Sequence, residues 1–322
     1  KIELDTLISE AKVKPYLHTM YAGVLTKDDK IDAVFIQNKS GRGAIKAKVF
    51  IDATGDGDLC RDTGLKFYTF KNMQPPTPCS KIYGIGLLDN FNLPLMLKKH
   101  GEEFGLQKDW GWRREIPGIP AVKMHAETHV FNVNCADAEM LTYSEMEGRR
   151  QIRAIMDLVR KYAPDGEKIV LLDLCSYIGI RDTYHIESKY KLKDKDVLYG
   201  KKFEDAIANG SYRVDIHHSH EPGITFKYLN GVQEIVRGSG MAPEVGMWRD
   251  KLETDPTYYQ IPYRSLIFDE MKNLIMAGRM IHAEEGAFSA VRVMVNTNQM
   301  GEAAGVAAVL SLNHGGIMEK VD

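Results

Sequence analysis

Residues 49–58 read VFIDATGDGD, an apolar, β-branched run that passes directly into a glycine-rich turn. An uninterrupted apolar run of this length is typical of a strand that is buried on both faces, as in a parallel sheet. Glycine directly after such a strand lets the backbone approach a ligand at the carboxyl edge, where open α/β sheets bind ligands. A glycine turn without any ligand fits the same spacing.

A second strand followed by glycine is predicted near the end of the chain, where residues 273–279 read NLIMAGR. Asn296, Thr297 and Asn298 are good N-cap residues, and a helix is predicted after them over residues 299–312. Small residues form one face of this helix, so that it can lie close to a sheet or a ligand: Gly301, Ala304, Gly305 and Ala308. Its N-terminal amides suit a phosphate or the electron-rich edge of a flavin. Ordinary helix–sheet packing is the alternative.

The stretch between these two elements differs in composition, and prolines punctuate residues 68–120. The patterns predict the end of a helix at residues 2–11 and a meander of three strands over residues 13–47. A capping box at residues 142–145 (TYSE) predicts a helix that runs to Tyr162. The other predicted elements are a strand at 170–174, a helix at 196–209 and strands at 212–217 and 224–236. This order predicts an α/β protein, α+β overall, in which an inserted mixed α/β domain interrupts the first domain.

The composition excludes several classes of protein. The 322 residues carry 42 basic and 44 acidic side chains, a formal net charge of −2, which gives no reason to expect a nucleic-acid partner. No apolar run approaches the roughly 18 residues that a membrane-spanning helix needs. The four cysteines form no CxxC pair, so we interpret them as independent, mostly buried thiols: Cys60, Cys79, Cys135 and Cys175.

Five groups of residues, in order along the chain, resemble motifs of the FAD-dependent oxidoreductase family, which has a glutathione-reductase-like flavin fold. They are residues 52–58 (DATGDGD), 179–183 (GIRDT), 215–217 (DIH), 261–266 (IPYRSL), and a C-terminal group at 277–281, 289–294 and 300–305. The resemblance implies FAD as the cofactor and an FAD/NAD(P)-binding Rossmann-like domain with an inserted substrate domain. We assign residues 1–66 and 261–322 to the FAD-binding domain and residues 67–260 to the insertion. The residues that the resemblance places against FAD are Ala53, Thr54, Gly55, Asp56, Gly278, Arg279, Arg292, Asn298 and Gly301.

The GxGxxG unit with which that family begins does not occur in residues 1–322. This unit brings amides and a helix N-terminus to the FAD pyrophosphate. The chain starts at Lys1 and shows no signal-peptide pattern. We therefore expect a C-terminal portion of a longer protein that holds FAD weakly or not at all by itself. Its localisation is unknown from the sequence, although the unpaired cysteines favour the cytoplasm.

Three residues of the predicted insertion are candidates for substrate chemistry. Arg181 follows a strand and a glycine, a suitable place for a guanidinium that holds a carboxylate; an ion pair between domains is the alternative. His185 and His217 are candidates for proton transfer near neutral pH, and a structural role fits each of them as well. The tryptophans are predicted as core or interface residues: Trp110, Trp112 and Trp248.

The densest group of ligand-type side chains is formed by Asp215, His217, His218 and His220. On a strand, Asp215 and His217 share one face while His218 and His220 share the other, so the four do not converge on one ion without a bend. A metal-dependent hydrolase is therefore a minor hypothesis, and no metal ligand is predicted.

The sequence thus predicts an FAD-dependent oxidoreductase that acts on a small polar or acidic molecule, with no nucleic-acid or membrane partner. Its oligomeric state stays open. The alternative hypothesis is a flavin-fold scaffold that binds a ligand without turnover.

Overall fold

The apolar runs that begin at Val49 and Asn273 form two neighbouring parallel strands. The computed structural model describes residues 1–88, 91–109, 111–238 and 241–322. Phe50 lies opposite Leu274 in this pair, and the second strand is fully buried, as its uninterrupted apolar sequence predicts. Because parallel strands end at the same edge of a sheet, the two glycine turns that follow them lie side by side.

The helices are α1 (Ile2–Glu10), α2 (Asp58–Asp62), α3 (Leu93–His100), α4 (Ala138–Tyr162), α5 (Asp194–Leu198), α6 (Glu285–Val291) and α7 (Met294–Ser311). The strands are β1 (Met20–Lys27), β2 (Lys30–Asn38), β3 (Gly41–Ile45), β4 (Phe50–Asp52), β5 (Phe67–Tyr68), β6 (Ser80–Tyr83), β7 (Trp112–Ile116), β8 (Ile119–Ala126), β9 (Val170–Leu174), β10 (His185–Ile186), β11 (Ala206–Gly210), β12 (Val214–His217), β13 (Ile224–Lys227), β14 (Val232–Val236), β15 (Glu244–Met247), β16 (Tyr259–Pro262) and β17 (Leu274–Met276). Short 3-10 turns connect several of them.

The strands form one parallel pair and several antiparallel sheets. The parallel pair is β4 with β17, and β1, β2 and β3 form the predicted meander. Two four-stranded antiparallel sheets have the orders β7-β8-β6-β9 and β12-β13-β14-β15, and two-stranded sheets join β5 to β10 and β11 to β16. The mixed α/β class is therefore confirmed.

Among the described residues, buried hydrophobic side chains form three larger cores and one small cluster of Ile224, Phe226 and Val236. The first combines side chains from residues 192–214 with side chains from residues 259–318, including α6 and α7. The second lies between the meander and the parallel pair, and the third lies between α4 and the sheet that contains β6. The first core contains residues from both sides of position 260, where the predicted insertion ends. The predicted domain boundaries remain a prediction.

The tryptophans do not share one environment. Trp112 is 39% exposed at the start of β7, whereas Trp248 packs against the first core. Trp110 lies outside the described residues. Among the helices that the structure describes, none has the length and apolar character to span a membrane.

The capping box predicted at residues 142–145 is wrong, because α4 begins one turn earlier. The side chain of Asp137 accepts a hydrogen bond from the Met140 amide at 2.9 Å and is the N-cap. Thr142 lies inside the helix, where its hydroxyl donates to the Ala138 carbonyl at 2.8 Å.

The helix predicted over residues 196–209 is also wrong. Only α5 is helical there, and the stretch that follows forms β11 antiparallel to β16. Gly210 packs against the Tyr259 ring so closely that a Cβ would lie 2.4 Å from its Cε2 atom. Tertiary pairing and this close approach override the local helical pattern. The run at 224–236 is likewise two strands, β13 and β14, joined by a turn.

The N-cap predicted at residues 296–298 is wrong as well, since α7 begins at Met294. Asn296 is fully buried inside the helix, and its amide donates to the Tyr259 hydroxyl and the Ala290 carbonyl, both at 3.1 Å. A buried amide keeps such partners because leaving it unsatisfied costs free energy.

Candidate active site

The turn after β4 and the turn after β17 meet at the carboxyl edge of the parallel pair. Gly55 and Gly278 both have positive φ, at 84° and 137°, where residues with a side chain are strained. A Cβ on Gly55 would lie 3.2 Å from Arg279 Nη2, and a Cβ on Gly278 would lie 4.0 Å from the Gly55 Cα. Glycine is therefore favoured at both positions by the backbone angle, and at Gly55 also by the nearby Arg279 side chain.

The buried carboxylate of Asp52 organises the first turn. It accepts hydrogen bonds from the Thr54 amide at 3.0 Å, the Thr54 hydroxyl at 2.7 Å and the Cys60 amide at 2.9 Å. The Thr54 hydroxyl in turn accepts from the Gly57 amide at 3.0 Å. These charge-assisted bonds fix the backbone of the turn before any ligand is present.

Arg279 does not point freely into the edge, because it is paired within the protein. Its guanidinium lies 2.7 Å from Asp56 Oδ1 and donates to the Thr183 hydroxyl at 2.7 Å. That hydroxyl donates to the same Asp56 oxygen at 2.6 Å. The pair neutralises its own charge, so any attraction of this edge for an anion comes from backbone amides.

The exposed backbone of the two turns fits the diphosphate of FAD. Ala53 and Thr54 are exposed, and within the described parts of the chain the amides of Gly55, Asp56 and Gly278 donate to no protein acceptor. Unpaired amides in turns with positive φ form concavities that bind anions. The donor set of residues 53–56 and 278 is therefore compatible with this group.

The remaining residues predicted to contact FAD lie elsewhere. Asn298 and Gly301 line an open groove at the start of α7, together with Met294, Val295, Thr297 and Glu302. A Cβ on Gly301 would meet no atom within 4 Å, so no described residue packs against α7 at this position. Arg292, on the connection between α6 and α7, joins neither turn.

Arg181 carries a positive charge that has only neutral hydrogen-bond partners. Its Nη1 donates to the Pro75 carbonyl at 2.6 Å and to the Thr77 hydroxyl at 2.7 Å. In the described part of the chain no carboxylate forms an ion pair with it. Burial and the neighbouring Arg292 lower the pKa of Arg181 to about 10. A guanidinium remains protonated in proteins, so a bound anion would compensate the charge of Arg181.

Arg292 lies with the predicted substrate residues. Its Nη2 donates to the Asp215 carbonyl at 3.0 Å and to Gln74 Oε1 at 3.2 Å, and it lies 3.8 Å from Asp215 Oδ2. Gln74 links several residues of this region by hydrogen bonds. Its Oε1 also accepts from the His217 amide at 3.1 Å, and its Nε2 donates to the Ser289 hydroxyl at 2.8 Å.

A chain of four buried groups passes through His217. Its Nε2 lies 3.2 Å from Asp215 Oδ1, and its Nδ1 lies 2.7 Å from His129 Nε2. The other nitrogen of His129 lies 2.9 Å from Asp109 Oδ1. All four residues are less than 9% exposed. His217, His129 and Asp109 are joined by hydrogen bonds, whereas Asp215 Oδ1 is in close contact with His217 but has no hydrogen-bond partner among the described residues.

The charges around His217 determine its protonation. Burial and the charge of Arg181 hold the pKa of His217 well below its ordinary value, so the ring is neutral near pH 7. Burial raises the pKa of Asp215, but the positive charge of Arg292 and the Tyr212 hydroxyl, which donates to Oδ2 at 2.8 Å, outweigh burial and bring it well below its usual range. Asp215 is therefore ionised beside a neutral imidazole.

His185 has a buried and fully paired environment. Its Nε2 lies 3.0 Å from Asp182 Oδ1, and its Nδ1 lies 3.2 Å from the Ile281 carbonyl. The ring is completely buried and packs against Phe70 and Phe288, with ring centres 4.4 and 4.5 Å away. Both nitrogens face protein acceptors, and the role of His185 in proton transfer stays a prediction.

The other two histidines of the dense group point away from His217. His218 Nε2 lies 2.9 Å from the Thr225 hydroxyl, and His220 Nδ1 lies 2.6 Å from Asn132 Oδ1. Across the described ranges, no three His, Cys, Asp or Glu side chains are arranged to hold a metal ion.

Several residues of the site could not be recognised from the sequence. Thr183 stands in the 179–183 motif, which was the available signal for it. Gln74, His129 and Asp109 belong to no motif, and only the folded chain brings them to His217 and Arg292.

A family model described as FAD dependent oxidoreductase matches residues 1–322. A comparison with curated proteins found no match. Among solved structures, a geranylgeranyl bacteriochlorophyll reductase-like protein from Thermoplasma acidophilum is 10% identical with a TM-score of 0.46, covering 99% of this chain and 56% of that one. A flavin-dependent brominase is 11% identical with a TM-score of 0.40, covering 99% and 57%. A p-nitrophenol 4-monooxygenase from Pseudomonas putida is 13% identical with a TM-score of 0.31, covering 54% and 38%. The chain thus spans less than two thirds of the length of these solved chains.

Proposed function

The chain belongs to the FAD dependent oxidoreductase family, and from this premise we propose that it oxidises or reduces a small acidic substrate held at Arg181. The observation that carries the proposal is the guanidinium of Arg181, a half-buried positive charge with two neutral partners. Buried charges are stable in proteins when an opposite charge or several hydrogen bonds compensate them. A substrate carboxylate would complete the site with a bidentate, charge-assisted pair.

FAD, when bound, supplies the acceptor or donor of electrons for such a reaction. The amides of Gly55, Asp56 and Gly278 would hold its diphosphate, and the Asp52 hydrogen bonds order the first turn, which carries Gly55 and Asp56. Few donors are available at this edge, and the charge of Arg279 is already neutralised by Asp56. The proposal therefore includes weak FAD binding by this chain alone. Stoichiometric flavin absorption after gel filtration would contradict that part.

In this proposal His217 exchanges a proton with the substrate. His217 Nδ1 lies 2.7 Å from His129 Nε2, so one of the two rings donates to the other. His129 Nδ1 lies 2.9 Å from Asp109 Oδ1, so a proton that His217 gives up would be replaced from the Asp109 side through His129.

A cavity gives the far end of this chain access to solvent. It has a volume of about 270 Å³, and Asp109 and Thr128 line it together with the lysines Lys98 and Lys108. The Thr128 hydroxyl is buried and has no hydrogen-bond partner among the described residues. The lining of this cavity is mainly apolar, but the Asp109 carboxylate and the Thr128 hydroxyl are polar groups to which water can bind. Protons would therefore enter at Asp109 and leave at His217.

The proposed anion site can be tested before the substrate is identified. Malonate should raise the melting temperature of the protein at constant ionic strength, and the uncharged malonamide should not. Arg181→Ala should weaken malonate binding by roughly 10- to 100-fold, the effect of losing hydrogen bonds to a charged group.

Arg153→Ala is the matched control, because Arg153 is exposed and pairs only with Asp157 within its own helix. It should bind malonate like the unmodified protein. Equal stabilisation by malonate and malonamide, or an unchanged malonate affinity in Arg181→Ala, would remove the basis for an acidic substrate.

A further inference from the structure

Cys79 and Cys175 lie opposite each other at the ends of two paired strands. Cys79 directly precedes β6 and Cys175 directly follows β9, and these strands are antiparallel with Ser80 opposite Leu174. The cysteines continue this register, since the Cys175 amide donates to the Cys79 carbonyl at 3.2 Å. Opposite residues of antiparallel strands point to the same face, with Cβ atoms about 4.5–5.5 Å apart. That separation is close to the spacing found in disulfides, and a small shift of the strand ends closes the rest.

The two side chains share one environment. Both line a small cavity together with Pro78, Ile152 and Ile178. Burial, followed by the adjacent Cys175, raises the pKa of Cys79 to about 12. Cys175 is exposed, whereas Cys79 is half-buried. An exposed thiol beside a sheltered one is the usual arrangement of an attacking and a resolving cysteine.

We propose that Cys79 and Cys175 form a reversible intramolecular disulfide, with a small external disulfide such as oxidised glutathione as the oxidant. The Cys175 thiolate attacks the external disulfide, breaks its S–S bond and releases one thiolate. Cys79 then loses its proton, attacks the Cys175 sulfur and releases the second thiolate. The two cysteines lose two electrons and two protons in total, and one oxidised glutathione becomes two molecules of the reduced form.

The bridge would act on the segment that supports Arg181. Thr77 accepts the Arg181 hydrogen bond and exchanges backbone hydrogen bonds with Gly179, and it lies two residues before Cys79. A covalent link between β6 and β9 would therefore limit the separation of residues 75–79 from residues 175–181. This inference does not depend on the proposed function, because it concerns thiol chemistry alone.

The test is a redox titration of the purified chain in glutathione buffers, followed by alkylation of free thiols and peptide mapping by mass spectrometry. We expect a peptide linked through Cys79 and Cys175 that increases with oxidised glutathione and disappears with dithiothreitol. Oxidation should raise the melting temperature by several degrees, because closing a long loop restricts the unfolded chain.

Three variants make the assignment specific. Cys79→Ser and Cys175→Ser should each abolish the linked peptide and the stabilisation, and Cys175→Ser should leave Cys79 poorly reactive. Cys135→Ser, at a buried cysteine outside this cavity, should retain both. Alkylation of both cysteines in every buffer, or linkage only to Cys60, Cys135 or a second chain, would overturn the proposal. The Cys79–Cys175 linkage is measured by peptide mapping of the unmodified chain, so the test holds even if a variant fails to fold.

Discussion

Gly55 lies in the first turn, close to the side chain of Arg279 from the second turn. Its positive φ excludes an unstrained side chain, and a Cβ there would lie 3.2 Å from Arg279 Nη2, a tight contact. Arg279 is held there by Asp56 and Thr183. A change at Gly55 would therefore move both turns.

We predict that Gly55→Ala destabilises the protein by about 1–3 kcal/mol, since it combines backbone strain with a steric contact. Gly64→Ala is the matched control, because Gly64 has a similar φ of 88° and a Cβ there would meet no atom within 4 Å. Gly64→Ala should lower the free energy of unfolding through backbone strain alone. Urea denaturation measures both values, and a fluorescence titration should show weaker FAD binding only for Gly55→Ala. Equal effects of the two variants would show that the contact with Arg279 does not matter.

At the scale of elements, α4 shows that a sequence can contain two plausible starting points for one helix. Thr142 and Glu145 satisfy the capping-box pattern, and Asp137 is an equally good N-cap residue. In the structure Glu145 instead accepts the Ile178 amide at 2.7 Å and pairs with Arg149. Because Glu145 is held by a distant loop, it does not cap its own helix.

This distinction gives a prediction about α4. Asp137→Ala should lower the free energy of unfolding by about 1 kcal/mol, because the Met140 amide loses its acceptor. Thr142→Ala should change it by less than about 0.5 kcal/mol, as is usual for an exposed helix position. Thermal denaturation of the two variants compares them directly. A larger loss for Thr142→Ala would mean that the helix begins at the predicted box.

At the scale of the whole molecule, the buried chain at His217 couples global stability to pH. The folded pKa of His217 is lowered, so below about pH 6.5 the unfolded chain takes up a proton that the folded protein does not bind. Stability therefore falls as the pH drops below that value. The folded pKa of Asp215 is also lowered, so its stabilising contribution is complete above about pH 3.9 and is lost as the pH falls further.

We predict that His217→Gln reduces the slope of unfolding free energy against pH between about pH 6.5 and 4.5. Each missing proton contributes about 1.4 kcal/mol per pH unit. Some slope should remain, because the pKa values of His218 and His282 are also lowered by burial. Urea midpoints across this range provide the measurement, and the slope is compared because the variant changes the intercept. A slope equal to that of the unmodified protein would show that His217 is protonated in the folded state.

The sequence by itself determined the parallel pair, its two glycine turns and the family. These features depend on neighbouring residues: apolar, β-branched runs favour buried strands, although Ile51 of β4 is 40% exposed, and glycine permits backbone angles that other residues avoid. The meander was predictable from its alternating apolar and polar residues and its turn signals. Where local propensity was the only guide, at residues 196–209, pairing with β16 overrode it.

Only the tertiary structure decided how the chemistry-bearing side chains are grouped. It separated His185, which is fully paired, from His217, and it brought His129 and Asp109 to the latter. It also placed Cys79 opposite Cys175. These contacts join segments far apart in the chain, and they follow from strand register and burial in the completed fold. No local pattern encodes them, because the free energy that fixes each contact belongs to the packing of several elements together.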